Sequence, residues 1–238
     1  MFLTLTYDDF NLPEGGTLLK RDHQTFLKRL RQYCWRQHKI KIRYFLVGEY
    51  GDKTQRPHYH ALIFGLWFHD QKKYKKNDQG DFLYRSPTLD RLWGKGLATF
   101  GQLTYESAAY CARYTLKKQG GKFAAGHYER LDLATGEVIQ VQPEYAQMST
   151  HPGIGRDFYE KYAGDIHRGD FCIVKGHKQK PPRYYDKVLF SRLPDRHDQL
   201  KQERKKLAEK QSEHNTTARL RVREEVKKSQ IKQLKRSL

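Results

Sequence analysis

One stretch restricts the chain more than any other: Arg56-Pro57-His58-Tyr59-His60-Ala61-Leu62-Ile63-Phe64-Gly65. Two histidines sit two apart, and an apolar run follows them. On a strand, residues i and i+2 point to the same face. His58 and His60 then project together, and Tyr59 and Ala61 face the other way. A pair of neutral imidazoles on one face is half of a divalent-metal site. Two strand histidines making ordinary hydrogen bonds would give the same pattern, so the surrounding chain has to decide.

Arg43-Tyr44-Phe45-Leu46-Val47-Gly48-Glu49-Tyr50 is rich in β-formers and reads as a buried strand. Only Gly51 to Pro57 separate it from the His-x-His strand, so the two pair antiparallel. Glu49, near the end of the first, falls close to His58 and His60 and is a candidate third ligand. Phe2 to Tyr7 is a further strand, with Leu3 and Leu5 alternating with Thr4 and Thr6. Asp22 is placed to cap a helix running from Phe26 to about Gln37. Residues 66–85 are polar and lysine-rich and read as an exposed, mobile insertion. Ser86-Pro87 starts a short helix that ends at Gly94 or Gly96, and Leu97 to Leu103 is a strand.

Thr104 caps a helix from about Tyr105 to Lys118. Tyr110, Arg113, Tyr114 and Lys117 share one of its faces. Ala108, Ala112, Thr115 and Leu116, with Cys111 beside them, lie largely on another, and these small residues suit close packing on a sheet. The tyrosine stripe then points elsewhere. Further on come a hairpin around Ala134-Thr135-Gly136-Glu137, a Pro/Gly loop at 148–155, a helix from Asp157 to Ile166 and a strand from Phe171 to Val174.

Lysine and arginine total 46 against 27 acidic residues, a formal charge of +19. Such a charge points to a polyanion, either nucleic acid or an anionic membrane surface. With 16 Tyr, 12 Phe and 3 Trp, the chain also has rings on which bases can stack, which suits single-stranded nucleic acid. No apolar run is long enough to span a membrane. Cys34, Cys111 and Cys172 are odd in number and widely spaced, which indicates neither a zinc module nor a disulfide framework. Residues 196–238 hold fourteen Lys/Arg and six Asp/Glu with sparse apolar positions. They read as a basic, partly helical extension after a domain covering 1–195.

A tyrosine hydroxyl is a poor nucleophile at its free pKa of ~10. It can attack a phosphodiester when a metal offsets the charge that develops on the phosphate. Tyr110 and Tyr114, one turn apart, are ~6 Å apart along the helix axis and could address one phosphate in succession. Lys117 and Arg113 each follow a tyrosine by three residues and could neutralise phosphate charge. On this ground Tyr114, followed by Lys117, is the tyrosine whose loss should cost more. Arg56, Arg113 and Lys118 are the candidate DNA contacts. Two core tyrosines and a solvated lysine remain the plain alternative.

Phe2-Leu3-Thr4-Leu5-Thr6-Tyr7, then His58-Tyr59-His60, then Tyr110-x-x-x-Tyr114-x-x-Lys117 resemble the three ordered motifs of HUH-type rolling-circle replication initiators. Gly48-Glu49-Tyr50-Gly51, the 148–155 loop and Pro181-Pro182-Arg183-Tyr184-Tyr185 resemble the gokushovirus branch of the microviruses. The resemblance covers residues 2–190. It implies that His58, His60 and Glu49 bind Mg²⁺ or Mn²⁺ and that Tyr110 and Tyr114 alternate as nucleophiles with Lys117 in support. Two-tyrosine members carry lysine after each tyrosine, and Arg113 departs from that at the first. The implied fold is α+β, a central antiparallel sheet of about five strands with flanking helices. The implied function is nicking and rejoining of single-stranded origin DNA, in the cytoplasm of a bacterial host. No P-loop motif occurs, so a host helicase and polymerase would do the unwinding and synthesis. A relaxase or transposase of the same class, or a noncatalytic single-strand binder, are the other readings.

Overall fold

β2 (Arg43–Tyr50) and β3 (Pro57–Phe64) form the centre of the molecule. They pair antiparallel in continuous register from Arg43↔Phe64 to Tyr50↔Pro57. On the other side of β3 lies β1 (Phe2–Thr6), also antiparallel, with Thr4 opposite His60 and Thr6 opposite His58. The computed structural model describes residues 1–77, 80–114, 118–121, 124–131 and 135–233. Two compact units divide the chain, Met1–Thr150 and His151–Lys235. That division falls ahead of the change in composition at 195.

In the first unit the order along the chain is β1, α1 (Lys20–His38), β2, β3, β4 (Lys72–Lys76), β5 (Phe82–Arg85), α2 (Pro87–Trp93), β6 (Ala98–Gly101), α3 (Tyr105–Tyr114), α4 (Ala124–His127), β7 (Glu129–Leu131), β8 (Val138–Gln140) and β9 (Tyr145–Met148). The main sheet is antiparallel, seven strands ordered β4-β5-β6-β1-β3-β2-β9. The fold class is therefore the α+β expected, with a wider sheet. Two of the added strands come from the lysine-rich stretch, where β4 and β5 pair from Lys72↔Arg85 to Lys76↔Phe82. Its polar composition marked exposure correctly. Tyr74, Phe82, Leu83 and Tyr84 nonetheless give it the β-propensity of an edge hairpin, and edge strands carry lysine for a reason of their own.

The pleat sorts the strands onto two faces. Leu3, Leu5, Tyr59, Ala61 and Ile63 turn toward α1, whose Phe26, Leu27, Leu30 and Cys34 complete the larger core. Each such apolar side chain withdrawn from water contributes ~1.5–3 kcal/mol. Phe2, Val47 and Leu62 turn to the opposite face, which α3 covers with Tyr110 and Cys111. Asp22 does not cap α1: the helix starts at Lys20, and Leu19 stands at its N-cap without a side-chain bond. Asp22 is buried in the first turn and accepts a hydrogen bond from the Tyr7 hydroxyl at 2.8 Å. α2 begins as expected, with the Ser86 side chain accepting from the Leu89 N–H, and ends at left-handed Gly94. Gly96 then lets the chain pass close to β1, because a Cβ there would lie 2.3 Å from the Asp8 nitrogen.

In the second unit α5 (Arg156–Gly169), β10 (Cys172–Val174), β11 (His177–Gln179), α6 (Arg183–Arg192), α7 (Pro194–Lys210) and α8 (Thr217–Gln233) follow in turn. Tyr159, Ile166, Tyr185 and Val188 form its small core. Arg204 of α7 reaches Asp170 at 2.7 Å and Asp186 at 3.0 Å. α8 exposes nearly all of its side chains, as its composition implied. No helix among the described residues is long and apolar enough to cross a membrane.

Candidate active site

Register brings three side chains to one place. Glu49 lies directly opposite His58 across the β2–β3 ladder, and His60 follows His58 on the same face. One ligand atom from each of Glu49, His58 and His60 lies within 4.8 Å of the other two. Nε2 of His58 is 2.7 Å from Glu49 Oε1, and Nε2 of His60 is 3.2 Å from the same oxygen. Glu49 and His60 are buried, whereas His58 is half-buried at the rim. Burial by itself would raise the Glu49 carboxyl, but hydrogen bonds to His58 and His60 outweigh it and hold the group below its ordinary value. Burial likewise lowers His60, which favours the neutral ring.

The far ring nitrogens are anchored too. His58 Nδ1 donates to the Arg56 carbonyl at 3.1 Å. His60 Nδ1 lies 3.1 Å from the Thr4 hydroxyl. With each Nδ1 so held, each Nε2 can present its lone pair toward Glu49, the arrangement by which outer partners fix the tautomer of metal-ligating histidines. Two imidazole nitrogens and one carboxylate oxygen form a donor set that suits a divalent cation and leaves coordination positions for substrate.

Stacking fixes the rings further. Phe2 stacks on His60 at 5.3 Å between centroids, and Tyr110 meets the same ring edge-on at 5.6 Å. α3 is seated by a reciprocal capping box: Ser107 N–H donates to Thr104 Oγ1 at 3.1 Å, and Thr104 N–H donates to Ser107 Oγ at 2.8 Å. The helix is rotated relative to the sequence reading. Ser107, Tyr110 and Cys111 face the sheet and Ala112 faces out. A tyrosine ring removes far more apolar surface than an alanine methyl, so the Tyr110 face is the one drawn inward. Tyr110 therefore sits against the histidine pair instead of pointing away from the sheet.

Tyr114 ends the described part of α3, and its side chain and Lys117 lie outside the described residues. The Arg113 guanidinium carbon is 5.8 Å from the Tyr110 ring centroid. Lys118 is exposed. Arg56 contacts the Tyr7 carbonyl through Nη2 at 3.0 Å and Asp9 through Nη1 at 2.8 Å, so it also ties the site to the loop after β1. Phe2 is a site residue that the sequence reading does not single out. Its signal is the parity of β1, which puts Phe2, Thr4 and Thr6 on one face.

A family profile described as Replication-associated protein ORF2 matches residues 1–119. The chain belongs to this family. Replication-associated protein ORF2 of Spiroplasma virus 4 is 36% identical over 88% of the chain and 64% of its own length. Replication-associated protein VP4 of Bdellovibrio phage phiMH2K is 34% identical over 89% of the chain and 66% of its own length. Replication-associated protein ORF4 of Chlamydia phage 1 is 30% identical over 79% of the chain and 45% of its own length. The chain thus spans less than two thirds of each of these relatives. No solved structure gave a significant match. The family profile ends just past α3, so it takes in Glu49, His58, His60 and Tyr110 together.

Proposed function

We propose that the chain is a replication initiator that nicks single-stranded phage origin DNA and later rejoins it in rolling-circle replication. One observation carries the reading: a helix bearing Tyr110 packs on the ring of His60, beside the converging ligand atoms of Glu49 and His58. His58, His60 and Glu49 would hold Mg²⁺ or Mn²⁺. Bound there, a divalent cation supplies charge withdrawal at the oxygens of the scissile phosphate.

The chain's own groups do the rest. Tyr110 or Tyr114 attacks phosphorus through Oη. The Oη–P bond forms, the P–O3′ bond breaks, and the phenol proton passes to the departing 3′ oxygen by way of solvent. The products are a 5′-phosphotyrosine and a free 3′ hydroxyl. Because the phosphodiester energy is retained in the covalent link, attack by a 3′ hydroxyl runs the step backward and seals the ends. Arg113 and Lys117 balance phosphate charge near the tyrosines, and Arg56 and Lys118 contribute DNA contacts. A host helicase and polymerase would act with it in the cytoplasm of the infected bacterium.

The test is incubation of the chain with single-stranded origin DNA and Mn²⁺, followed by a denaturing gel. A covalent protein–DNA adduct is expected, absent when Tyr110 and Tyr114 are both phenylalanine. A noncatalytic binder gives no adduct with any origin strand, with or without metal, and that result would sink the proposal.

A further inference from the structure

The β4–β5 hairpin lies at the end of the sheet, four strands from β3. Strands are spaced by ~4.8 Å, which puts it ~19 Å from the histidine pair across the sheet. Lys72, Lys73, Tyr74, Lys75 and Lys76 of β4 are all exposed. Among the described residues, no carboxylate is within ion-pair distance of any of the four lysines. They gather around aromatic rings instead. Lys73 and Lys76 place Nζ 4.4 and 5.0 Å from the Phe82 ring centroid. Lys75 Nζ and Arg85 Cζ lie 5.9 and 5.8 Å from the ring of Tyr74. Tyr74 is 46% exposed and Phe82 38% exposed.

Register relates the hairpin to the site. Phe2, which stacks on His60, is opposite Gly101. The Leu83 side chain fills the space above Gly101, 3.3 Å from where a Cβ would stand. Lys75 pairs with Leu83 and Lys72 with Arg85, so these three basic side chains rise from the sheet face that carries His58 and His60.

We propose that the β4–β5 hairpin is a single-stranded DNA contact surface that takes the strand leading away from the Glu49–His58–His60 site. This rests on the reading of DNA as the partner and names a surface for it. Lysines in the open follow phosphates, while exposed rings beside them accept unstacked bases, the combination that serves single strands. Lysine on an edge strand also blocks strand addition, but that role does not call for aromatic rings left in the open.

The experiment is a salt titration of binding to labelled oligothymidine and to a duplex of equal length, using the full chain. Changing Lys72, Lys73, Lys75 and Lys76 together to glutamine should weaken single-strand binding at least ~10-fold. It should also lower the slope of log K against log salt by about 3. The matching four-arginine variant should bind within about two-fold of wild type, as charge is what counts. Tyr74→Ala and Phe82→Ala should each cost at least ~5-fold on single strands and little on duplex. The strand should photocrosslink to the hairpin through 5-iododeoxyuridine in the unmodified chain. An unchanged slope in the glutamine variant, equal loss on duplex and single strand in the ring variants, or no crosslink to residues 72–85 would each overturn the inference. Adduct formation at saturating DNA separates the two proposals. The glutamine variant should still form it, and a wild-type chain that binds through the hairpin but forms no adduct would defeat only the nicking reading.

Discussion

β1, β2 and β3 carry buried polar groups on both faces, and the two sets are built differently. On the α1 face, Tyr7 donates to Asp22, and Lys95 approaches the other carboxylate oxygen at 3.4 Å. Tyr59 donates to the Leu19 carbonyl and accepts from the Leu19 N–H. His23 sits between Gln147 and the Tyr145 hydroxyl, each at 2.8 Å. Donors there meet acceptors, and burial raises Tyr7, Tyr59 and Tyr145 so that their hydroxyls stay protonated. On the α3 face, two imidazole nitrogens and a carboxylate oxygen converge, and the carboxyl is held charged. A network of matched donors and acceptors closes on itself and serves the fold. Convergent lone pairs around a charged oxygen call for a cation and serve a reaction.

Damage to one face should therefore leave the work of the other intact. The largest effect should come from Glu49→Gln or His58→Ala. Either should abolish Mn²⁺-dependent adduct formation on a denaturing gel. Salt-dependent binding to single strands should persist, since many lysines and arginines contribute to it. Loss of binding along with cleavage would mean that the trio supports the fold instead. Next comes Thr4→Val, which removes the partner of His60 Nδ1 without touching a ligand. It should weaken metal affinity ~10–100-fold, read by titrating Mn²⁺ into the cleavage reaction. An unchanged metal requirement would show that Phe2 and Tyr110 hold the ring unaided.

On the other face, Asp22→Ala leaves the Tyr7 hydroxyl without its acceptor and should cost ~1–3 kcal/mol of stability in urea melts. Adduct formation per folded molecule should stay within about two-fold, on the premise that an outward-closed network acts only through stability. A specific loss of cleavage in the stable fraction would instead couple the two faces through Tyr59, which lies between the two histidines in sequence.

These faces are unequally legible in the sequence. The site is readable because strand parity is strict and a short connection forces β2 against β3, so Glu49 has to fall near His58. Helix orientation has no such rule: α3 offers several faces, and which one turns inward depends on what Phe2, Val47 and Leu62 leave to be covered. That is why the sequence alone points Tyr110 away from the sheet. The β4–β5 hairpin is hidden for another reason, because an edge strand with lysine on both faces has the composition of a loop. Asp22 looks like a cap because acidic residues near a helix start usually are. Its actual partner, Tyr7, is distant in sequence and set by tertiary packing.

The smallest expected effect is a pH dependence of stability from His23. The ring is fully buried, and burial lowers its pKa below the ordinary 6.5, opposed only in part by the bond to Gln147. Between its folded pKa and 6.5, the unfolded chain binds a proton that the folded chain refuses. Stability contributed at this position is therefore complete above pH 6.5 and declines as pH falls toward the folded pKa. His60, also lowered by burial, adds a decline of the same sign, which a bound cation should suppress because it competes with the proton. Urea midpoints measured from pH 7.5 down to 5.5, with and without Mn²⁺, separate the contributions. His23→Gln should flatten the metal-saturated curve, whereas Mn²⁺ should flatten the wild-type curve only by the His60 share. If His23→Gln leaves the metal-saturated slope intact, the α1 face is not where the remaining acid sensitivity resides.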